Sequence, residues 1–107
     1  MGKKERDKGC RTEREIVNIF RRHGITAQRI PLSGGTDYAK GDVEAIVKGE
    51  KMRIEVKARK DGFKQIYGWK GELDALIIKR DRNRPLVVLD LEDWCRIISG
   101  GEKNGCD

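Results

Sequence analysis

Two stretches decide the fold of this chain, Asp42-Val43-Glu44-Ala45-Ile46-Val47 and Met52-Arg53-Ile54-Glu55-Val56-Lys57-Ala58. Apolar and polar residues alternate along both, which is the period of a half-buried β-strand. The short polar segment between them contains a glycine and predicts a turn, so the two strands form a hairpin. One face of this hairpin is apolar, and the other carries Asp42, Glu55 and Lys57 together.

The length of the turn leaves two registers open. A four-residue turn at 48–51 places Asp42 across from Lys57 and diagonal to Glu55, whereas a two-residue turn places Asp42 directly across from Glu55. Both registers keep the same side chains on the same face, because side chains alternate with a period of two along a strand. Both therefore group two carboxylates with an ammonium.

This grouping suggests a metal site. Neighbouring carboxylates repel each other unless a cation lies between them, and Mg²⁺ prefers oxygen ligands while keeping several waters. Such a cation can activate water for attack on a phosphodiester, with Lys57 stabilising the developing charge. The hydroxyl of Ser33, or the backbone N–H groups of Gly34 and Gly35, can hold a phosphate nearby. The alternative is a plain charged strand face, for which an E-x-K pattern is also typical.

A helix precedes the hairpin and contributes a further acid. Thr12 and Glu15 fit a capping box, and the helix runs from there to about His23, with Gly24 suited to end it. Glu13 lies on the side of this helix that packs inward. An acidic group there requires a partner, and a metal or a lysine would provide one.

The remaining pattern predicts an α-β-β-β-α-β-β-α order, which indicates an α/β fold with a mixed central sheet flanked by helices. We expect one domain at 8–99, a flexible basic N-terminus at 1–7 and a disordered tail at 100–107. The other elements are a short strand at 27–31, a helix at 63–70, buried strands at 75–78 and 86–89, and a helix at 91–98.

Charge points to a nucleic-acid partner. Lysine and arginine outnumber aspartate and glutamate by 24 to 18, an excess that favours phosphate binding, although a merely soluble basic domain has the same composition. Gln65 is a candidate for contact with the attacking water or with DNA. The residues predicted to contact phosphates lie near the proposed site in sequence: Arg11, Arg14, Lys40, Arg59, Lys60, Lys64 and Lys70.

The composition also excludes some classes. The apolar runs at 75–78 and 86–89 are too short to span a bilayer, which needs about 20 residues, so we expect no membrane association. The three cysteines lack a C-x-x-C pair, which argues against a structural zinc site or a disulfide framework. A reducing cytoplasm is the expected location, with Cys95 as a core thiol.

Several of these segments resemble archaeal-type Holliday junction resolvases of the PD-(D/E)XK nuclease superfamily. The segment 8–17 resembles their opening helix, with Glu13 at the position of the helical acid, and 31–35 resembles their mobile serine loop. Residues 41–43 and 54–61 are similar to the two halves of the nuclease motif, with Gly41 where the motif has proline. Small phage or prophage nucleases of this superfamily are similarly compact.

This resemblance implies a restriction-endonuclease-like fold and DNA cleavage that depends on Mg²⁺, with Mn²⁺ as a substitute. It implies Asp42 and Glu55 as metal ligands, Glu13 as an auxiliary metal-site acid, Lys57 as the catalytic lysine and Ser33 as a substrate-side residue. It also implies a homodimer acting on branched or junction DNA. Two other functions stay open: a basic nucleic-acid-binding module whose nuclease site is degenerate and inactive, and a protein-interaction domain on the same fold.

Overall fold

The fold has the predicted α-β-β-β-α-β-β-α order in the computed structural model, which describes residues 2–30 and 42–100. The α/β class, with small sheets flanked by helices, is confirmed. The elements are α1 (Gly2–Arg22), β1 (Ala27–Arg29), β2 (Val43–Val47), β3 (Glu50–Ile54), α2 (Lys64–Lys70), β4 (Leu76–Ile78), β5 (Leu86–Val88) and α3 (Leu91–Ile98).

The first helix begins earlier than predicted. Since α1 starts at Gly2, Thr12 lies in its interior and the predicted N-cap at Thr12 is wrong. The segment before Thr12 is rich in lysine, glutamate and arginine, which have high helix propensity. The helix therefore continues through this segment. The helix also covers most of the 1–7 segment that the sequence predicts to be flexible.

The end of α1 is as predicted and forms a Schellman motif. The N–H of Ile25 donates to the carbonyl of Phe20 at 3.0 Å, and the N–H of Gly24 donates to that of Arg21 at 2.9 Å. Gly24 has a φ of 79°, which a residue with a Cβ adopts only at a cost. The motif turns the chain so that Ile25, 6% exposed, joins the core immediately before β1.

The hairpin is the centre of a three-stranded antiparallel sheet with strand order β1-β2-β3. Its turn has two residues, Lys48 and Gly49, whose φ values of 53° and 83° are those of a type I′ turn. Val47 therefore pairs with Glu50, and the register is the second of the two that the sequence allows.

The second strand of the hairpin is shorter than predicted. Regular pairing ends at Ile54, so the segment 55–58 lies beyond the ladder. Beyond the ladder, the N–H of Val56 donates to the Asp42 side chain at 2.8 Å, as aspartate side chains often accept backbone N–H groups.

The last two strands form a separate antiparallel pair rather than extending the first sheet, within the residues described. The prediction that they are buried is wrong, since Ile77 is 64% exposed, Leu86 61% and Val87 57%. A continuous apolar run predicts a strand, but it does not say which surface covers that strand. Here Ile77 pairs with Val87 across the ladder, and the pair faces outward.

The core lies between α1, the first sheet and α3. Phe20 contacts Trp94 edge to face, with ring centroids 6.0 Å apart. Cys95 is fully buried, which confirms the predicted core thiol, and burial raises the pKa of that thiol. Of the helices in the described residues, none has the length and apolar character needed to cross a membrane. The buried core residues are Val17, Phe20, Ile25, Ala27, Val43, Ala45 and Cys95.

Candidate active site

Asp42 lies where the three strands of the first sheet meet. Its backbone N–H donates to the carbonyl of Ile54 at 2.8 Å, and its carbonyl accepts the N–H of Ile30 at 2.9 Å. Its side-chain Oδ2 accepts the N–H of Val56 at 2.8 Å. Two backbone hydrogen bonds and one carboxylate hydrogen bond thus hold Asp42 between the ends of β1 and β3. The Oδ2 bond uses one lone pair of a group that can accept several bonds, so the carboxylate keeps capacity for a ligand.

Glu55 and Lys57 lie on the extended chain that continues from β3. The last ladder pair is Val43 with Ile54, and Glu55 follows that pair directly, next to Val56, whose N–H donates to the Asp42 carboxylate. Lys57 Nζ contacts Glu55 Oε2 at 2.9 Å, and both side chains are about half exposed, at 55% and 54%. The predicted grouping on one face is therefore present for this glutamate and lysine. The ammonium lies beside a carboxylate and remains open to solvent and to a ligand.

Glu13 is held by an arginine. Its Oε1 accepts a hydrogen bond from Arg29 Nε at 3.0 Å, and the same guanidinium approaches Cys10 Sγ at 3.2 Å. The Glu13 side chain is only 19% exposed, as expected for its inward-facing side of α1. The hydrogen bond from Arg29 to Glu13 raises the pKa of that guanidinium. In the structure the partner of Glu13 is therefore Arg29.

A divalent cation suits part of this arrangement. Mg²⁺ is commonly bound by one or two carboxylates together with waters and substrate phosphates. Asp42 is partly exposed, and the Glu55 side chain is 54% exposed. Each provides a hard oxygen donor of that kind. Within the described residues, however, no three acidic, histidine or cysteine side chains are grouped closely enough to hold a metal. Asp42 and Glu55 are the two carboxylates that would hold such a cation, and Glu13 reaches toward the same sheet from α1 with Arg29 as its partner.

Glu44 shares the hairpin face with these acids. It lies opposite Arg53 in the ladder, accepts a hydrogen bond from Gln28 Nε2, and has Lys51 Nζ 3.8 Å from its Oε1. Its neighbours are therefore basic and amide groups of the strands. This placement favours a structural role for Glu44 over a ligand role.

The other predicted site residues fall into two groups. Those on the described surface are exposed and available to DNA; they are Arg11, Arg14, Arg59, Lys60, Lys64 and Gln65. The others lie outside the described residues; they are Ser33, Gly34, Gly35 and Lys40.

Lys70 differs from the other predicted DNA contacts. Its side chain is only 11% exposed, and its Nζ donates to the carbonyl of Leu73 at 2.7 Å and lies 3.4 Å from Asp90 Oδ1. These contacts tie the end of α2 to the residue that precedes α3. An ammonium engaged in this way is better placed to hold the fold than to contact phosphate.

Sequence reasoning missed Arg29. The signal was present, because an acidic residue on a core-facing stripe demands a charged partner and β1 offers an arginine. Choosing that arginine requires knowing that β1 runs beside α1, and the two elements do pack against each other.

Comparison with known proteins identifies a family for this chain. A family model described as archaeal Holliday junction resolvase (Hjc) matches residues 4–93 of the 107-residue chain. The matched region includes Glu13, Asp42, Glu55 and Lys57. Searches of curated proteins and of solved structures found no match.

Proposed function

Because the chain belongs to the archaeal Holliday junction resolvase family, we propose that it is a Mg²⁺-dependent endonuclease that hydrolyses phosphodiester bonds in branched DNA. The observation that supports this most is the placement of two carboxylates and an ammonium at one end of the hairpin. Asp42 is anchored there by three hydrogen bonds, and Lys57 lies 2.9 Å from Glu55 beside it.

Each of these side chains has a part in the proposed reaction. Asp42 and Glu55 hold the cation, which when bound supplies Lewis acidity toward the phosphate and toward water. Lys57 stabilises the negative charge that develops on the phosphate oxygens in the transition state. The anchored backbone around Asp42 keeps the carboxylate in place, so little reorganisation is needed when substrate arrives.

Junction resolution further implies a homodimer. Two opposed strands must be cut, and one copy of this chain has one such site. The outward-facing pair of Ile77 and Val87 offers apolar area that a second copy could cover. Sedimentation analysis of the purified protein is the direct measurement of this assembly.

The cellular location that we propose is supported by the thiols and by the substrate. Cys10 and Cys95 are free thiols in the structure, and free thiols persist in a reducing compartment. We place the protein in the cytoplasm, with a role in DNA recombination or repair.

A second candidate is a DNA-binding module that does not cleave. The pairing of Glu13 with Arg29 favours it, because that glutamate is engaged by a cation already present in the fold. Titration calorimetry with Mn²⁺ separates the candidates without any substrate. The nuclease predicts binding that Asp42→Asn weakens, and the inactive module predicts no binding by either protein.

The proposed activity is tested with a panel of four-way junction, flap, single-stranded and linear duplex DNA. We expect cleavage of the junction with Mg²⁺, none with EDTA, and much slower cleavage of linear duplex. Absence of cleavage of every substrate at all protein concentrations would overturn the nuclease assignment. Preferential cleavage of the flap or of the single strand would support the nuclease assignment but would contradict four-way junctions as the substrate.

Arg29→Gln tests the link between Glu13 and the rest of the site. Because the substitution removes the charge that positions this glutamate, we expect cleavage or Mn²⁺ affinity to fall about 10- to 100-fold, the usual effect of losing an outer partner of a metal site. The matched control is Arg22→Gln, which breaks the exposed pair with Glu92 and should leave both unchanged. If the two variants are equally active, Glu13 has no role in the proposed metal site.

A further inference from the structure

The loop between β4 and β5 is the most basic short segment that the proposed site does not use. It runs Lys79-Arg80-Asp81-Arg82-Asn83-Arg84 and carries four positive charges and one negative charge, a net of +3. The whole chain has a net charge of +6, so half of the excess lies in six residues. We call this segment the basic tip.

The basic tip has a defined backbone. The N–H of Asn83 donates to the carbonyl of Arg80 at 2.9 Å, and Arg82 takes a φ of 67°. The pairing of Ile78 with Leu86 closes the loop at its base. The side chains surround an open depression of about 550 Å³, which is lined by Ile78, Lys79, Arg80, Asn83, Arg84 and Leu86.

The cations of the basic tip have no acidic partners in the part of the chain that the structure describes. Elsewhere on the surface the arginines and lysines are often paired, as Arg22 is with Glu92 and Arg96 with Asp93. In the tip, Lys79, Arg80, Arg82 and Arg84 are exposed, and no ion pair joins them to Asp81 or to any other described acid. Like charges that lie close together without counter-charges repel each other and destabilise the compact state. An anionic partner would reduce this repulsion.

We propose that the basic tip binds the backbone phosphates of a duplex arm of the DNA substrate, at a contact separate from the carboxylate site. This inference rests on the proposed function, since it takes DNA as the substrate. Three of the four cations are arginines, whose planar guanidinium matches phosphate oxygens in a bidentate way. A two-stranded β-ribbon is also narrow enough to approach a DNA groove with its end. The tip adds affinity and orientation, and it takes no part in the chemical step.

The same charges argue against a second copy as the occupant. A twofold contact through the basic tip would bring two +3 segments together, which like-charge repulsion opposes. The apolar pair of Ile77 and Val87 lies on the strands rather than in the loop, so contact between copies there leaves the tip free.

The test is the triple variant Arg80→Gln, Arg82→Gln, Arg84→Gln, assayed for binding to a four-way junction in EDTA so that no cleavage intervenes. We expect Kd to rise at least tenfold near 0.1 M salt. The slope of log K against log salt should fall by about 2 to 3, since each lost phosphate contact removes about 0.9. Cleavage of saturating DNA with Mg²⁺ should keep its wild-type rate.

The matched control removes the same charge from elsewhere: Arg22→Gln, Lys48→Gln, Arg96→Gln. It should change the salt slope by less than half as much as the tip variant. The inference would be overturned by equal salt slopes for the two triple variants, or by a tip variant that binds DNA like the wild type. A tip variant that loses the dimer in sedimentation without a change in salt slope would overturn it as well. If the triple variant does not fold, Arg84→Gln alone should lower the slope by about 1.

These outcomes separate the tip from the nuclease assignment. If the wild type binds junction DNA but does not cleave it, and the tip variant loses binding, the proposed activity fails while the tip inference stands. If the wild type cleaves and the tip variant binds equally well, the inference fails and the activity stands.

Discussion

Replacing Lys57 with alanine should reduce cleavage of saturating junction DNA by about 10²- to 10³-fold, the usual cost of removing one group that stabilises transition-state charge. The ammonium lies 2.9 Å from Glu55 and is half exposed, so it can face both the cation site and a phosphate. DNA binding should persist, since one lysine is a small part of the basic surface. Single-turnover cleavage and a binding titration on the same sample measure the two effects separately.

The hairpin offers a closely matched control for this substitution. Lys51 also lies beside a glutamate, Glu44, at 3.8 Å, and its side chain is 61% exposed. Lys51→Ala therefore removes a similar charge and a similar surface ion pair, which contribute little to stability. It should cleave at nearly the wild-type rate. If Lys57→Ala and Lys51→Ala cleave equally well, Lys57 has no catalytic role and the E-x-K pattern is a plain charged face.

Phe20→Ala should produce the largest loss of stability, about 3 to 5 kcal/mol. The ring is fully buried, contacts Trp94 edge to face, and links α1 to α3 through the core. The substitution leaves a cavity where the two helices meet, and a small domain has only about 5 to 15 kcal/mol of stability in total. Urea denaturation followed by tryptophan fluorescence measures the change.

Ile97→Ala is the control for this loss. Ile97 is in α3 but is 65% exposed, so its truncation should change the free energy of unfolding by less than about 0.5 kcal/mol. A Phe20→Ala protein as stable as Ile97→Ala would mean that the packing of α1 against α3 does not hold the domain together. Phe20→Leu, which keeps most of the hydrocarbon, should fall between the two.

Local patterns predicted several elements well because each depends on residues near one another in sequence. The final helix at 91–98 follows from its apolar spacing, and the end of α1 follows from a glycine that can take a positive φ. The hairpin faces follow from alternation alone. The length of the turn does not follow from local pattern, because a lysine rarely takes a positive φ and Lys48 has a φ of 53°.

The N-terminal boundary of α1 shows where local reasoning misleads. Thr12 and Glu15 have capping-box spacing, yet the helix runs through them from Gly2. A capping motif competes with continued helix, and the residues before Thr12 include enough helix formers for continuation to prevail. The motif alone does not decide between the two.

The sequence by itself determined which groups are the candidates for catalysis. Strand alternation predicts that Asp42, Glu55 and Lys57 share one side for either turn length, because that prediction needs no knowledge of distant neighbours. The structure brings Lys57 to Glu55. Only the tertiary structure decided which partners these and other groups meet. It joined Glu13 to Arg29 and left the β4–β5 pair outside the first sheet, with its basic tip exposed. Those outcomes depend on contacts between elements far apart in the chain, and such contacts carry no periodic signal in the sequence.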